Sequence, residues 1–450
     1  MTAPGGDDLA AWIARRRAAS QWRVEPIAFG QCAHWVLTDG VLRHASGRFF
    51  SVKGLCCVEG PPHLKGLGQP IIDQPEVGML GFVVRRAASG WQWLLQAKTE
   101  PGNVGGTQIG PSVQATQSNY QQVHGGKPTP MIELFRTGQA VQRLFVDVEQ
   151  SEQGDRFDGK YNRNVVVQVD PAFEAPADGA WRWFAASAVR AALARDFTLN
   201  TDTRSVLCCS DWSLLNDEGR PPFVRWEGLA GWGAGLLASF AAPLPHSGLD
   251  AARAKLAQAR SAGPWRMRGV PLDALAGWHQ TPMEYACDDP SIDPVVRMYR
   301  VHAADREVTD WCQPLLTNRA QGRAVLVCAR RQGVLQFLLP PRTEPGFAER
   351  AQFGPSLLTG PGHANPPGLL AAIDDASSIE HLGVLQSDEG GRFKDSVARY
   401  QIVELTARQA AEFDPHGAWV TLSAIGAMTR LRGMMSNELR SCVSLLLAWC

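Results

Sequence analysis

The chain has 450 residues, of which 45% are apolar, and this length and composition are typical of two to three domains with ordinary cores. Lys plus Arg equals Asp plus Glu at 44 each, so no overall charge recruits nucleic acid or an anionic membrane. The longest apolar passage, "GLAGWGAGLLASFAAPLP", is broken by glycine and too short to cross a bilayer, and no secretory leader is recognised at the start. We therefore expect a cytoplasmic protein that binds neither nucleic acid nor membrane.

The predicted elements begin with a helix capped by Asp7 or Asp8, with Leu9, Trp12 and Ile13 on one face. Apolar and β-branched runs predict strands, and longer runs of good helix formers predict helices. The predicted strands cover residues 77–86, 91–98, 164–170 and 399–405, and the predicted helices cover residues 181–197 and 419–435. Together these elements predict an α+β fold with a mixed sheet flanked by helices.

The ten cysteines match no zinc-ligand spacing. Two adjacent pairs, Cys56/Cys57 and Cys208/Cys209, are accompanied by scattered single cysteines. Because nothing marks secretion, we expect buried reduced thiols and no structural metal.

The sequence also repeats itself at fixed spacings. "QPII" at 69, "KTEPG" at 98 and "IGPS" at 109 return 244 residues later as "QPLL", "RTEPG" and "FGPS", while "QSEQGDRF" at 150 returns 236 residues later as "QSDEGGRF". We interpret the chain as two tandem copies of one domain, residues 1–245 and 246–450. A Pro/Gly loop and a helix capped by Asp250 are predicted at the connection.

A polar ribbon, residues 94–126, distinguishes the first copy. It runs "LLQAKTEPGNVGGTQIGPSVQATQSNYQQVHGG", and its dense Gln, Asn, Tyr and His set has no clear match in the second copy. Its "TEPG" turn does return, which favours either a packing role for Glu100 or a polar ligand pocket in each copy. We expect the first copy to carry a reaction and the second to be a degenerate pocket or a structural support.

The ribbon, together with "FFSVKG" and "QPIIDQPEVGMLGF", resembles the NDP-hexose 2,3-dehydratases of deoxysugar pathways, and the likeness covers nearly the whole chain. The resemblance implies two fused Nudix-like domains, a homodimer, and removal of water from dTDP-4-keto-6-deoxyglucose to give a 3,4-diketo-2,6-dideoxy sugar nucleotide. It also implies a downstream 3-ketoreductase for the unstable product. The chain lacks the Glu-Glu pair of the metal-binding Nudix helix, so metal-dependent pyrophosphate cleavage is not expected.

This elimination needs one base, one oxyanion donor and one acid, and no metal or cofactor. His124 and Tyr120 suit proton transfer, Lys98 or Asn103 suits the oxyanion, and Glu100 suits orientation of a partner. The alternatives stay open at each: His124 as a loop residue, Tyr120 as packing, Lys98 as a phosphate ligand.

Substrate binding calls for an aromatic surface for the base and polar donors for the diphosphate. The candidates in the first copy are Trp35, Arg86, Asn103, Gln108, Gln117, Ser118, Asn119, Gln121 and Ser151. The candidates in the second copy are Trp278, Arg330, Gln352, Gln386 and Ser387. The alternative function is a non-catalytic nucleotide-sugar binding or scaffold protein, against which the intact polar ribbon argues, since burying it without a ligand is costly.

Overall fold

The structure is a computed structural model that describes residues 6–120, 128–304, 308–360 and 362–450. Residues 1–245 are called the first half and residues 246–450 the second half. The first-half strands are β1 (Trp22–Ile27), β2 (Trp35–Thr38), β3 (Val41–His44), β4 (Ser51–Glu59), β5 (Gly68–Asp73), β6 (Gly78–Ala87), β7 (Gly90–Thr99), β8 (Thr107–Gly110), β9 (Val113–Ala115), β10 (Arg143–Ser151), β11 (Tyr161–Gln168) and β12 (Trp181–Ala185). The helices up to the connection are α1 (Gly6–Ala19), α2 (Gln117–Tyr120), α3 (Ile132–Arg136), α4 (Ala186–Leu193), α5 (Thr201–Cys209), α6 (Trp232–Ala241) and α7 (Leu249–Ser261).

The second half continues with strands of matching order. They are β13 (Arg266–Val270), β14 (Trp278–Gln280), β15 (Glu284–Cys287), β16 (Val295–Ala303), β17 (Asp310–Thr317), β18 (Gly322–Arg331), β19 (Val334–Leu339), β20 (Pro341–Thr343), β21 (Ala351–Phe353), β22 (Leu357–Leu358), β23 (Ile379–Ser387), β24 (Phe393–Lys394), β25 (Val397–Glu404) and β26 (Ala418–Val420). Its helices are α8 (Leu369–Ile373), α9 (Ala407–Ala411), α10 (Leu422–Met428) and α11 (Asn437–Leu446).

Each half contributes strands to two main sheets, and one mixed sheet in each half has the same strand order. The first runs β10-β11-β6-β7-β12 and the second β23-β25-β18-β19-β26. In both, one central pair is parallel, β11 with β6 and β25 with β18, and the other pairs along this path are antiparallel. The central strands are buried on both faces, as expected for a sheet covered by helices. The α+β prediction is confirmed.

Two strands cross between the halves. β1 of the first half pairs with β16, Trp22 lying opposite Ala303, and β13 of the second half pairs with β4, Arg266 lying opposite Glu59. The spacing of 244 relates Trp22 to Arg266 and Glu59 to Ala303, so the exchange is reciprocal. Each half therefore supplies one strand to a sheet of the other half.

The retained "TEPG" turns dock reciprocally on the opposite half. The Gly102 amide donates to the Gly390 carbonyl at 2.8 Å, and the Gly346 amide donates to the Gly154 carbonyl at 2.6 Å. A Cβ at Gly102 would lie 1.5 Å from the carbonyl oxygen of Phe393, which is far inside contact distance. Glycine is therefore required in this turn by close packing between the halves.

Buried arginines join the halves at α5 and α11. Arg204 donates to Ser441 Oγ and to the Ser387 carbonyl, and Arg440 donates to Ser205 Oγ and to the Ser151 carbonyl. Both guanidinium groups are buried, and each donates to several acceptors, as a buried charge requires. The largest apolar cluster contains residues of both sheets and of α5 and α11, so one core spans the molecule.

Both long predicted helices need correction. Residues 181–185 form strand β12 against β7 instead of the start of a helix, because the alternating aromatic run pairs with a neighbouring strand, and α4 begins only at Ala186. The helix predicted over residues 419–435 likewise starts as strand β26 against β19, and α10 covers only Leu422–Met428.

The predicted caps and thiols also need correction. Asp250 does not cap α7, since Gly248 in a left-handed conformation occupies the N-cap. The predicted N-terminal helix is confirmed, with Leu9, Trp12 and Ile13 buried, but Asp7 and Asp8 lie inside it and do not cap it. Cys32 and Cys312 form a disulfide between the halves, with Cα atoms 6.1 Å apart, so the expectation of reduced thiols is wrong for this pair.

Candidate active site

A cavity of about 540 Å³ opens where the first-half sheet meets the second half. Its polar wall comes from the first half, from the end of β7, the start of α2, the start of β11 and the first turn of α5. The second half closes it with β17 and the loop before β24. The described lining residues are Trp22, Trp35, His44, Phe49, Phe50, Gln74, Glu76, Gly78, Leu80, Lys98, Thr99, Glu100, Pro101, Gln114, Ala115, Thr116, Ser118, Asn119, Lys160, Asn162, Asp202, Val308, Trp311, Cys312, Gln313, Glu389, Gly391 and Arg392.

Lys98 and Glu100 lie together in the cavity, as does Gln114 on the neighbouring strand β9. The Lys98 ammonium donates to the Gln114 carbonyl at 3.0 Å and lies 3.7 Å from the Glu100 carboxylate. The Gln114 amide donates to the same carboxylate at 3.2 Å. These contacts fix a cation and an anion side by side at the end of β7.

Trp35, Ser118 and Asn119 are the other sequence candidates that line the cavity. Trp35 packs on Phe50 with ring centroids 4.9 Å apart. Ser118 donates to Glu76 through its backbone amide at 2.6 Å, and this bond holds the start of α2. An aromatic mouth and a polar wall are therefore combined in one site.

Several other candidates join the two halves instead of lining the cavity. Gln108 donates to Ser387 Oγ at 2.9 Å, and Ser151 Oγ donates to Gln352 at 2.7 Å. Gln386 is buried in β23. These pairs are related by the repeat spacings, so their retention in both copies is accounted for by packing between the halves, and contact with a ligand stays a prediction for them.

The remaining candidates are dispersed, and none of the described ones lines the cavity. Asn103 is buried and donates to the Lys98 carbonyl at 3.2 Å, and Trp278 is buried and donates to the Gly68 carbonyl. Arg86 donates to the carbonyls of Asp217 and Glu218, and Arg330 forms an ion pair with Glu404. Gln117 and Tyr120 form the ends of α2, where the Tyr120 ring packs on an apolar cluster. Gln121 and His124 lie outside the described residues.

Other cavity residues were not predicted from the sequence. Lys160 donates to the Glu76 carbonyl, and its burial lowers its pKa. Asp202 lies in the first turn of α5, where burial, then the nearby Glu389, Glu152 and Glu100 carboxylates, raise its pKa well above the usual range. Arg392 donates to Gln74 Oε1 at 3.1 Å and lies 4.1 Å over the Phe50 ring. The cavity thus combines several acids and bases held in different environments.

Part of this polar set occurs only in the first half. At the repeat spacings Lys160 corresponds to the uncharged Ser396, and three other polar residues correspond to apolar ones. Glu76 corresponds to Ala320, Gln114 to Leu358, and Asn162 to Ala398. In the second half Arg342, the counterpart of Lys98, donates to the Pro355 and Ser356 carbonyls and to Asn365. The second half therefore lacks several of the groups that make the first cavity polar.

The described residues contain no group of three or more His, Cys, Asp and Glu side chains arranged to hold a metal ion. Among the same residues, no helix is long and apolar enough to cross a membrane.

A cavity lined by paired carboxylates and ammonium groups has the equipment of an enzyme that works by acid–base catalysis. The family model described as NDP-hexose 2,3-dehydratase matches residues 6–210 and again residues 250–446. The chain therefore belongs to the NDP-hexose 2,3-dehydratase family, a family of hydro-lyases.

Three characterised relatives align over nearly the whole chain. A protein of Saccharopolyspora spinosa is 34% identical, covering 96% of this chain and 89% of its own length. Proteins of Amycolatopsis orientalis and Streptomyces violaceoruber are 32% and 31% identical, covering 97% and 96% of this chain and 88% and 94% of their own lengths. All three are named dTDP-4-dehydro-6-deoxy-alpha-D-glucopyranose 2,3-dehydratase.

Proposed function

We propose that this chain removes water across carbons 2 and 3 of dTDP-4-keto-6-deoxyglucose, in the cavity of the first half. The product is a 3,4-diketo-2,6-dideoxy sugar nucleotide, which a 3-ketoreductase consumes in a deoxysugar pathway. The observation that carries the proposal is the polar cavity of the first half, whose Lys160, Glu76, Gln114 and Asn162 have no counterpart of the same kind in the second half. The names of the three relatives support the choice of substrate.

The reaction depends on the ketone at carbon 4, which acidifies the hydrogen on carbon 3. Removal of that hydrogen gives an enolate, and the oxyanion needs a fixed donor. The Lys98 ammonium suits this role because Gln114 and Glu100 hold it at the cavity wall. Tyr120 and His124 stay predictions for proton transfer, and Tyr120 directly follows Asn119, which lines the cavity.

The thymidine diphosphate requires apolar surface and cations. Trp22 and Trp311 come from opposite halves and meet edge to face at 5.6 Å, and together with Trp35 they offer aromatic surface at the cavity. Arg392 presents a guanidinium group at the same cavity, suited to phosphate oxygens. We infer from this arrangement that the nucleotide lies toward the tryptophans and the sugar toward Lys98.

Turnover is tested by mixing the protein with dTDP-4-keto-6-deoxyglucose, with and without a 3-ketoreductase and its nicotinamide cofactor. We expect water loss in both reactions and a stable reduced 2-deoxy sugar only when the reductase is present. Lys98→Met should lower turnover at least tenfold, whereas Lys65→Met, an exposed lysine on the first half, should not. Tight binding of the substrate without any water loss would instead favour the non-catalytic binding or scaffold function.

We also propose that the two halves descend from one Nudix-like domain and that the protein acts as a cytoplasmic homodimer. The shared strand order, the reciprocal exchange of β1 and β13, and the two matches of the family model support duplication. Sedimentation analysis at micromolar concentration tests the dimer: a single species at the monomer mass would reject it.

A further inference from the structure

Asp202, a carboxyl of the cavity, differs in its bonding from the nearby Glu100 and Glu152. Asp202 lines the cavity from the first turn of α5 and is only 3% exposed. Glu152 receives amide hydrogen bonds from Asn162 and Asn437, and Glu100 receives one from Gln114. Within the described residues, no comparable donor reaches the Asp202 carboxyl. An anion at this position would lack the hydrogen bonds that stabilise its neighbours.

The surroundings of Asp202 also favour its neutral form. Burial removes the water that would stabilise a negative charge, and the carboxyls of Glu389, Glu152 and Glu100 lie near it. Lys98 opposes this effect, but it already bonds the Gln114 carbonyl and lies beside Glu100. Burial and the neighbouring carboxyls raise the pKa of Asp202 well above its ordinary value, which favours the protonated carboxyl.

We propose that Asp202 is the general acid that protonates the hydroxyl leaving from carbon 2, an inference that rests on the proposed dehydratase function. A base removes the proton from carbon 3, and the electron pair of that C–H bond is held in the enolate of the carbon 4 ketone. As the enolate collapses, this pair forms the carbon 2–carbon 3 double bond, the C2–O bond breaks, and the leaving oxygen takes the Asp202 proton and departs as water. The base then releases its proton to solvent and the Asp202 carboxylate takes one from solvent, so each turnover yields one enol and one water.

The neighbouring carboxyls are less suited to this step. Glu100 accepts from Gln114 and lies beside the Lys98 ammonium, an environment that favours a negative charge. Glu152 is held by two amides and is not among the described lining residues. Asp202 alone among these three is buried, lines the cavity and lacks an amide donor.

The second half supplies a matched control. Glu438 occupies the position of α11 that corresponds to Asp202 on α5, and it is also buried. Its surroundings have Ser396 in place of Lys160 and Ala398 in place of Asn162. Glu438→Gln therefore changes an equivalent buried carboxyl outside the cavity.

The experiment compares Asp202→Asn, Asp202→Glu and Glu438→Gln with the unmodified protein on two substrates. One is dTDP-4-keto-6-deoxyglucose, and the other carries fluorine in place of the carbon 2 hydroxyl, which leaves as fluoride with little need of an acid. Asp202→Asn should lose roughly 100- to 10,000-fold in turnover of the hydroxyl substrate. It should stay within about tenfold of the unmodified protein on the fluoro substrate, because the other catalytic groups are intact.

The other variants and a fold control complete the test. Asp202→Glu retains an acid and should recover at least tenfold over Asp202→Asn, and Glu438→Gln should turn over both substrates at the normal rate. Asp202→Asn should unfold at a temperature no lower than that of the unmodified protein, and its thymidine diphosphate affinity should be unchanged. Equal losses on both substrates, or less than a tenfold loss on the hydroxyl substrate, overturn the assignment. An unmodified protein that binds but never eliminates either group overturns the proposed function itself.

Discussion

Removing the buried carboxyl of Glu438 should stabilise the protein, and the gain should grow with pH. Burial, with a further contribution from Asp155, raises the pKa of Glu438 to about 7. The unfolded chain releases the same proton near its ordinary value of 4.5. Between these two values the folded state binds more protons than the unfolded state, so stability falls as pH rises through this window and is level above it.

The size of the effect follows from the two pKa values. At pH 5 the carboxyl costs the folded state under about 1 kcal/mol, and at pH 8 roughly 3 kcal/mol, by linkage between proton binding and folding. Glutamine does not titrate. Relative to the unmodified protein, Glu438→Gln should therefore gain on the order of 2 kcal/mol more at pH 8 than at pH 5.

Urea unfolding followed by tryptophan fluorescence at pH 5 and pH 8 measures this difference. Glu412→Gln, an exposed glutamate beyond α9, is the control and should show the same small offset at both pH values. A Glu438→Gln offset that is equal at the two pH values, or larger at pH 5, would refute the reasoning, because Glu438 would then be ionised in the folded protein without penalty.

Three further predictions concern the core and the catalytic step. Arg440→Met should lower the free energy of unfolding by about 3 kcal/mol, because buried acceptors such as the Ser151 carbonyl lose their donor. The control Arg408→Met, at an exposed position, should change it by under ~0.5 kcal/mol. Equal urea midpoints for the two variants would contradict this. Turnover should persist in EDTA, because the described residues form no metal-ligand cluster; loss with EDTA and recovery with magnesium would reject a metal-free mechanism. His124→Ala and Tyr120→Phe should each reduce turnover roughly 100-fold or more with little change in nucleotide affinity, and an effect below tenfold at both removes them from proton transfer.

The part of the site that was predictable follows one continuous segment. Lys98, Glu100, Ser118 and Asn119 lie in the ribbon that follows an obvious strand, and all four line the cavity. Polar residues crowded after a buried strand predict a site because an extended polar run is otherwise costly to bury.

Asp202 and Lys160 were missed because each looks ordinary in its local sequence. Asp202 resembles an acidic residue in the first turn of a helix, which the helix dipole favours anywhere. Lys160 resembles a residue of a polar loop. Lys160 could have been found from the repeat itself. At a spacing of 236 Lys160 corresponds to Ser396, and Asn162 corresponds to Ala398. Such differences mark positions where only the first copy has the ammonium or the amide.

The exchange of strands was not predictable for a different reason. A strand's alternation of apolar and polar residues specifies which face is buried, and it does not specify which of two equivalent edges the strand joins. β1 and β13 occupy corresponding positions, so each could have paired within its own half. The Cys32–Cys312 disulfide depends on the same exchange and lies 280 residues apart in sequence.

This exchange gives the second half a role that does not depend on a polar cavity of its own. Trp311, Glu389 and Arg392 belong to the second half yet line the cavity of the first. The loop that carries Glu389 and Arg392 is held by the Gly102 turn, whose amide donates to the Gly390 carbonyl. The cavity of the first half therefore requires the second half even if the second half binds no substrate of its own. Without the second half, the cavity would lack Trp311 and the wall formed by Glu389 and Arg392, and the sheet of β4 would lack strand β13.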